Sequence, residues 1–309
     1  MGRRPRILVG PTPDEVLAGA VRAGGGVIVD GGDVDALVWH SFHMKDVAEM
    51  LAAHPGAKWV QLPMAGVESV VESGVMADPR WAGVTWTCAK GSYAKPVAEH
   101  ALALGLAGLR NFVERARASH WGPPAGTSLY GADVVVLGGG GIARELLSLL
   151  APFQVRATVL RRNSIPVMGA ARTVGMGELH SALPAALVVF VALALTPETT
   201  GIIGKTELAL MGSESWLVNV ARGRHVRTAD LVEALSARTI GGAALDVTDP
   251  EPLPSGHPLW AFPNCLITPH TADTEEMTRP LLALRVRENV ELFAAGLPLV
   301  GTVDPVAGY

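Results

Sequence analysis

The stretch "VVVLGGGGIARELL", residues 134 to 147, sets four consecutive glycines between a β-branched apolar run and a helical pattern. Glycines at such a junction free the backbone for a tight turn, and the helix start behind them offers unpaired N–H groups to an anion. The dinucleotide fingerprint G-x-G-x-x-G/A is met by Gly138, Gly140 and Ala143, after a strand pattern and before "IARELLSLLAPF". In that reading Gly138 allows the turn, and Gly140 lets the backbone approach a pyrophosphate. Gly141 and Ile142 open the helix beneath it, and Ala143 keeps the helix close to the sheet. A glycine-rich turn with no ligand is the structural alternative.

About 20 residues further on, a chain that binds NAD commonly places an acidic residue for the ribose hydroxyls. Here the corresponding strand runs into "TVLRRNS". Arg161 and Arg162 can hold a 2′-phosphate through bidentate, charge-assisted hydrogen bonds and by stacking on the adenine. NADP(H) is therefore the expected cofactor, with NAD(H) also admitted; the alternative is a pair of solvated loop arginines. Cys88 and Cys265 are the only cysteines, far apart and without further ligands at metal spacing. They are expected to be two buried small hydrophobes, and no metal is expected.

The elements that must position this loop fall into two series. The first hundred residues alternate short apolar runs, "RILVG", "GVIVD", "ALVW", "WVQL" and "VTWT", with helical stretches such as "MKDVAEMLAAHP". That is the rhythm of a parallel sheet with crossover helices. From Pro96 a long helix is expected, "VAEHALALGLAGLRNFVERARASHW", with its apolar residues crowded into the first half. A second series then holds six candidate strands, "ADVVVLGG", "VRATVL", "ALVVFVAL", "SWLVNV", "GAALDV" and "NCLITPH", the content of a dinucleotide-binding fold. The C-terminal "EEMTRPLLALRVRENVELFAAG" returns to a helical period and is expected to pack back on the first domain.

Composition bounds the partners. The 309 residues are 49% hydrophobic with a net charge of −4, enough for two cores and too little basic charge for nucleic acid as a main partner. "LPAALVVFVALAL" is too short to span a bilayer and contains proline, so it reads as a buried strand and no membrane partner is expected. No secretion signal is recognisable at the N-terminus, which makes the cytoplasm the default expectation.

The segments "WLVNVARGRHVRTADLVEAL", "GGAALDVTDPEPLP" and "HPLWAFPNCLITPH" resemble, in order and spacing, the signature regions of the D-isomer-specific 2-hydroxyacid dehydrogenases. The resemblance extends through "VQLPMAGVESV", "PVAEHALAL" and "LTPETTGIIG", and so covers nearly the whole chain. It implies two doubly wound parallel-sheet α/β domains, with a Rossmann dinucleotide-binding domain inserted in a flavodoxin-like substrate domain. The boundaries expected on this basis are 1–97 with 275–309 for the substrate domain and 98–274 for the dinucleotide domain.

The resemblance places a catalytic arginine at Arg222, a glutamate at Glu251 and a histidine at His270, at intervals of 29 and 19 residues as in the glyoxylate and hydroxypyruvate reductase branch. Reduction of a 2-keto acid puts hydride on C2 while the carbonyl oxygen gains a proton, and a histidine suits the acid. The glutamate would orient the ring, fix its tautomer and favour the imidazolium. The arginine would bind the substrate carboxylate and polarise the carbonyl. Taken singly, each has a duller alternative: a strand-end histidine, a loop carboxylate, a helix-start arginine.

Also by resemblance, the N–H groups of Gly66 and Val67 cradle the carboxylate, Asp246 receives the nicotinamide amide, and Thr196 and Pro197 line the nicotinamide ribose. Trp121 would reach across a homodimer interface. Lys90 and Lys95 depart from the more neutral loop expected there. The implied function is reduction of a small, glyoxylate-like or hydroxypyruvate-like 2-keto acid to a D-2-hydroxy acid. The alternatives are an NAD-dependent phosphoglycerate-type dehydrogenase and, from another class, a nucleotide-sensing corepressor on the same scaffold.

Overall fold

The structure, a computed structural model, describes residues 3–304. The contacts divide the chain into two compact units, residues 1–93 with 274–309, and residues 94–273.

In the first unit, β1 (Arg6–Gly10), β2 (Val27–Ile28), β3 (Ala36–Trp39), β4 (Trp59–Gln61) and β5 (Thr85–Thr87) form a wholly parallel sheet of order β2-β1-β3-β4-β5. This is the flavodoxin-like order. The crossovers use α1 (Glu15–Ala23), α2 (Met44–Ala53) and α3 (Glu68–Glu72). Both sheet faces are covered, so every residue of β3 and β4 is buried, the polar Gln61 at the end of β4 included. Asp14 caps α1 by accepting from Val16 N and Leu17 N at 2.9 and 3.0 Å.

The C-terminal helix Glu275–Ala295 packs against α1, as expected for a segment returning to the first domain. Arg279 on it sits 3.0 Å from the Asp14 carboxylate. Buried Asn289 of the same helix donates to Gln61 Oε1 at 2.9 Å and exchanges two bonds with the Val300 backbone.

The second unit begins with α4 (Ala94–Leu109) and α5 (Phe112–Arg117). The single long helix read from Pro96 is therefore two pieces. Asn111 adopts φ +53, a left-handed conformation that asparagine tolerates better than most residues, and the chain turns there. Gly105 and Gly108 let α4 lie close on the sheet, since a Cβ would come within 3.2 Å of the Phe190 ring and 2.3 Å of the Trp216 ring, respectively.

The sheet itself holds β6 (Asp133–Leu137), β7 (Arg156–Leu160), β8 (Arg172–Val174), β9 (Val188–Val191), β10 (Trp216–Asn219), β11 (Gly242–Leu245) and β12 (Cys265–Ile267). Their order is β12-β11-β10-β9-β6-β7-β8, all parallel. From β6 outwards this is the Rossmann order with one further strand, and its switch point lies between β6 and β9. Strand β8 is an addition to the six expected. It is a three-residue edge strand containing an exposed arginine, too short and too polar at its start to stand out in the sequence. The helices α6 (Gly141–Leu150), α7 (Leu179–Ala182), α8 (Lys205–Leu210) and α9 (Thr228–Ser236) complete the unit. Both cysteines are free and buried. Among the described residues no helix is long and apolar enough to cross a membrane.

Candidate active site

The glycine loop sits at the switch point of the second sheet. Gly138 has φ +113, and a Cβ there would lie 2.3 Å from the carbonyl oxygen of Ala192, just beyond β9. Only glycine accepts both the conformation and this approach. Gly140 is the N-cap of α6 with no side chain to cap it, and its virtual Cβ faces open space. Gly141 and Ile142 follow as the first helical residues, and Ala143 is fully buried against the sheet. An uncapped N-terminus of a ten-residue helix beside open space fits a pyrophosphate, so these residues suit the dinucleotide.

Arg161 and Arg162 follow β7. Arg161 packs its side chain over Gly139, whose Cβ would lie 2.9 Å from Arg161 Cδ, and it donates to Ile165 O at 3.3 Å. Arg162 is exposed, and its charge helps lower the pKa of Glu198, behind the larger effect of the Thr196 hydroxyl. Thr196 and Pro197 open a turn in which Thr196 N donates to Thr199 Oγ1 at 2.8 Å.

The three residues expected to carry chemistry lie on loops at the carboxyl ends of β10, β11 and β12. Buried Asn219 ends β10 and shapes the turn that follows: it donates to Arg222 O at 2.8 Å and accepts from Ala221 N at 3.0 Å. Arg222 is half-buried, and its Nη1 donates to Ala221 O at 2.7 Å. A Cβ on the next residue, Gly223, would fall 1.9 Å from Thr248 O. Glycine at 223 thus lets the arginine loop press against the loop that bears Glu251. Thr248 N donates to Glu251 Oε2 at 3.3 Å, and Thr228 Oγ1 donates to Asp249 O at 2.6 Å.

His270 Nδ1 lies 2.6 Å from Glu251 Oε1. The carboxylate makes Nδ1 the protonated nitrogen of the neutral ring, which leaves Nε2 to gain or lose the second proton. His270 has φ +52, a sparsely populated conformation for a side-chain-bearing residue, and its N–H donates to Asp246 O at 2.8 Å. Asp246 itself is buried at the end of β11. Its carboxylate accepts from Thr268 Oγ1 at 2.6 Å, Thr271 N at 2.9 Å and Ala272 N at 3.1 Å. Burial opposes its charge, but the bonds from His100, Thr268, Thr271 and Ala272 win and bring its pKa down to about 2. Asp273 goes the other way, raised chiefly by burial although the His270 and Arg222 charges pull it down.

The structure thus brings Glu251 and His270 into direct contact and gathers Asp246 beside them. Gly66 and Val67 lie in the first unit, where Val67 is the N-cap of α3. Trp121 is wholly exposed. Asn219, Gly223 and His100 were not singled out in the sequence. All three lay within segments read as a resemblance, His100 in "PVAEHALAL" and Asn219 and Gly223 in "WLVNVARGRHVRTADLVEAL", but nothing in their type or spacing marked them.

Residues 101–272 match the family model described as D-isomer specific 2-hydroxyacid dehydrogenase, NAD binding domain. A protein of Corynebacterium melassecola described as "uncharacterized protein in proB 3'region" is 41% identical over 82% of this chain and 84% of its own length. A glyoxylate/hydroxypyruvate reductase A of Serratia proteamaculans is 30% identical over 89% and 87%. The crystal structure of a D-isomer specific 2-hydroxyacid dehydrogenase from Xanthobacter autotrophicus, in complex with NADPH and MES, has 27% identity and a TM-score of 0.81 over 99% of this chain and 100% of that one. With a signature model spanning more than half its length and a relative aligned nearly throughout, the chain belongs to the D-isomer specific 2-hydroxyacid dehydrogenases, a family of NAD(P)-dependent oxidoreductases.

Proposed function

We propose that the protein reduces a small 2-keto acid, of the glyoxylate or hydroxypyruvate kind, to the D-2-hydroxy acid with NADPH, reversibly. The observation that carries this reading is the 2.6 Å pair of Glu251 and His270, which holds an imidazole by one nitrogen and leaves the other to serve a carbonyl oxygen. The nicotinamide supplies the hydride when bound. His270, as imidazolium, gives its Nε2 proton to the oxygen of the ketone as C2 is reduced, and the neutral ring takes that proton back in oxidation. Glu251 accepts from Nδ1–H in both directions and so keeps the ring in one tautomer. Arg222 presents its guanidinium fork to the substrate carboxylate and carbonyl, and the N–H groups of Gly66 and Val67 are assigned to the same carboxylate by resemblance.

For the cofactor, Gly138, Gly140, Gly141 and Ile142 form the pyrophosphate turn, Thr196 and Pro197 line the ribose, and Asp246 Oδ2 retains an acceptor lone pair for the carboxamide. Arg161 and Arg162 on the strand end where an acidic residue is usual, together with the NADPH held by the Xanthobacter relative, support the phosphorylated cofactor. The fully exposed Trp121 supports a homodimer that covers it.

A panel of 2-keto acids assayed with NADPH and NADH tests the reading. Turnover of glyoxylate or hydroxypyruvate with a preference for NADPH is expected. Exclusive turnover of phosphorylated hydroxy acids with NAD would replace it with the phosphoglycerate-type reading, and a protein that binds the dinucleotide but turns over none of the panel would overturn it.

A further inference from the structure

We propose that His100, on α4, is a positioning residue for His270, acting through Asp246 and Thr268; this rests on the reductase reading above. Its Nε2 lies 3.0 Å from Thr268 Oγ1 and 3.3 Å from Asp246 Oδ1. The Thr268 hydroxyl hydrogen is already committed to Asp246 Oδ1 at 2.6 Å, so toward His100 that oxygen is an acceptor. His100 therefore carries its proton on Nε2 and donates into the threonine–carboxylate pair.

That pair is the post around which the histidine loop is wound. Thr271 N and Ala272 N donate to the two oxygens of the Asp246 carboxylate, and His270 N donates to the Asp246 backbone oxygen. Residues 268 to 272 thereby converge on one buried aspartate, and the left-handed conformation of His270 persists because neighbours on both sides of it are tied down. The ring leaves this turn in the direction that meets Glu251. If Asp246 lost its fixed orientation, the anchors flanking His270 would loosen together.

His100 reaches this post because α4 is pressed onto the sheet. Gly105 and Gly108 remove the side chains that would hold the helix away from Phe190 and Trp216, and α4 also packs on β11, the strand that Asp246 directly follows. A histidine one turn after Pro96 then meets Asp246 across 146 residues of sequence, a donor brought in from outside the loop it steadies. Half-buried itself, it gives an aspartate carboxyl that is almost wholly buried one more hydrogen bond.

The test uses the full chain with His100→Leu and His100→Gln, glutamine being able to place an N–H donor near the position of the ring Nε2. In keto-acid reduction His100→Leu should lose about tenfold in kcat, as for one hydrogen bond to a charged group, with KM for the keto acid within about twofold of wild type. His100→Gln should restore most of kcat. Amide hydrogen exchange at Thr271 and Ala272, read without turnover, should speed up in the leucine variant and return to the wild-type rate in the glutamine variant. Should His100→Leu fold poorly, Thr268→Val and Thr268→Ser supply the same comparison, loss and restoration of the bridging hydroxyl.

Unchanged exchange at Thr271 and Ala272 in His100→Leu overturns the positioning role, whatever the activity. Equal loss of kcat in the leucine and glutamine variants also overturns it. If the wild-type chain turns over no 2-keto acid, the functional reading falls and the exchange experiment alone decides the structural one.

Discussion

Glu251 Oε1 and His270 Nδ1 stand 2.6 Å apart although both side chains are about two-fifths exposed, at 40% and 43%. A pair so open to water contributes little to stability, so its value lies in ring orientation. His270→Ala is expected to lower kcat for reduction by about 10²- to 10⁴-fold, the usual worth of a positioned acid. Glu251→Gln keeps an acceptor oxygen but loses the charge, and about tenfold is expected, the low end for a hydrogen bond to a charged group because water screens this one. Steady-state kinetics on the two variants checks both. A His270→Ala enzyme with near-normal kcat would move the proton transfer to another group.

Arg161 and Arg162 leave β7 where a carboxylate would repel a 2′-phosphate. Each charge-assisted contact to that phosphate is worth roughly 1.5 to 3 kcal/mol. Arg161→Ala with Arg162→Ala should therefore lower kcat/KM for NADPH by on the order of 10²-fold or more, with the value for NADH nearly unchanged. Equal loss with both cofactors would mean that the arginines support the loop without reading the phosphate.

Much of this architecture is legible in the sequence because its determinants are local. Gly138 and Gly140 announce the turn by type and spacing, and the apolar runs of β6, β9 and β10 are buried on both faces, which their composition already states. The break at Asn111 was hidden because nothing in "LRNFVE" forbids a helix. The residue stops it by adopting a conformation it merely tolerates. The pairing of His100 with Thr268 was illegible for another reason, since the two are 168 residues apart and meet only once two glycines have let α4 approach the sheet. Gly223 likewise looks like any glycine after an arginine until Thr248 O is seen against it.

The two cysteines carry a chemical prediction. Burial pushes the Cys265 thiol up to about 12 and raises Cys88 as well. A thiol near 12 is ionised in roughly one molecule in 10⁴ at pH 8, and the thiolate is the nucleophile. Titration with a disulfide reagent at pH 8 should find no rapidly reacting thiol in the native protein and two after unfolding. Rapid reaction of one equivalent in the native state would show that one of the cysteines is open to solvent.

Asp246 predicts how the protein meets acid. Its carboxyl falls from 3.8 to about 2 in the folded chain, held there by donors from His100, Thr268, Thr271 and Ala272 against the cost of burial. A folded-state value below the unfolded one means that the unfolded chain binds the proton first, so the charged carboxylate stabilises the fold above about pH 4 and that contribution is lost as pH falls toward 2. At 1.36 kcal/mol per unit the full contribution is about 2 kcal/mol, with about half of it gone by pH 3. Asp246→Asn cannot titrate, and its amide would also turn an N–H toward donors that expect an oxygen. The variant should be less stable at pH 7, and its stability should fall less steeply than that of the wild type between pH 5 and 2. Other carboxylates titrate in both proteins, so the difference between the two urea-unfolding curves, followed against pH, isolates this one group. Curves that run parallel across that range would show that the Asp246 carboxyl carries no depressed titration in the folded protein.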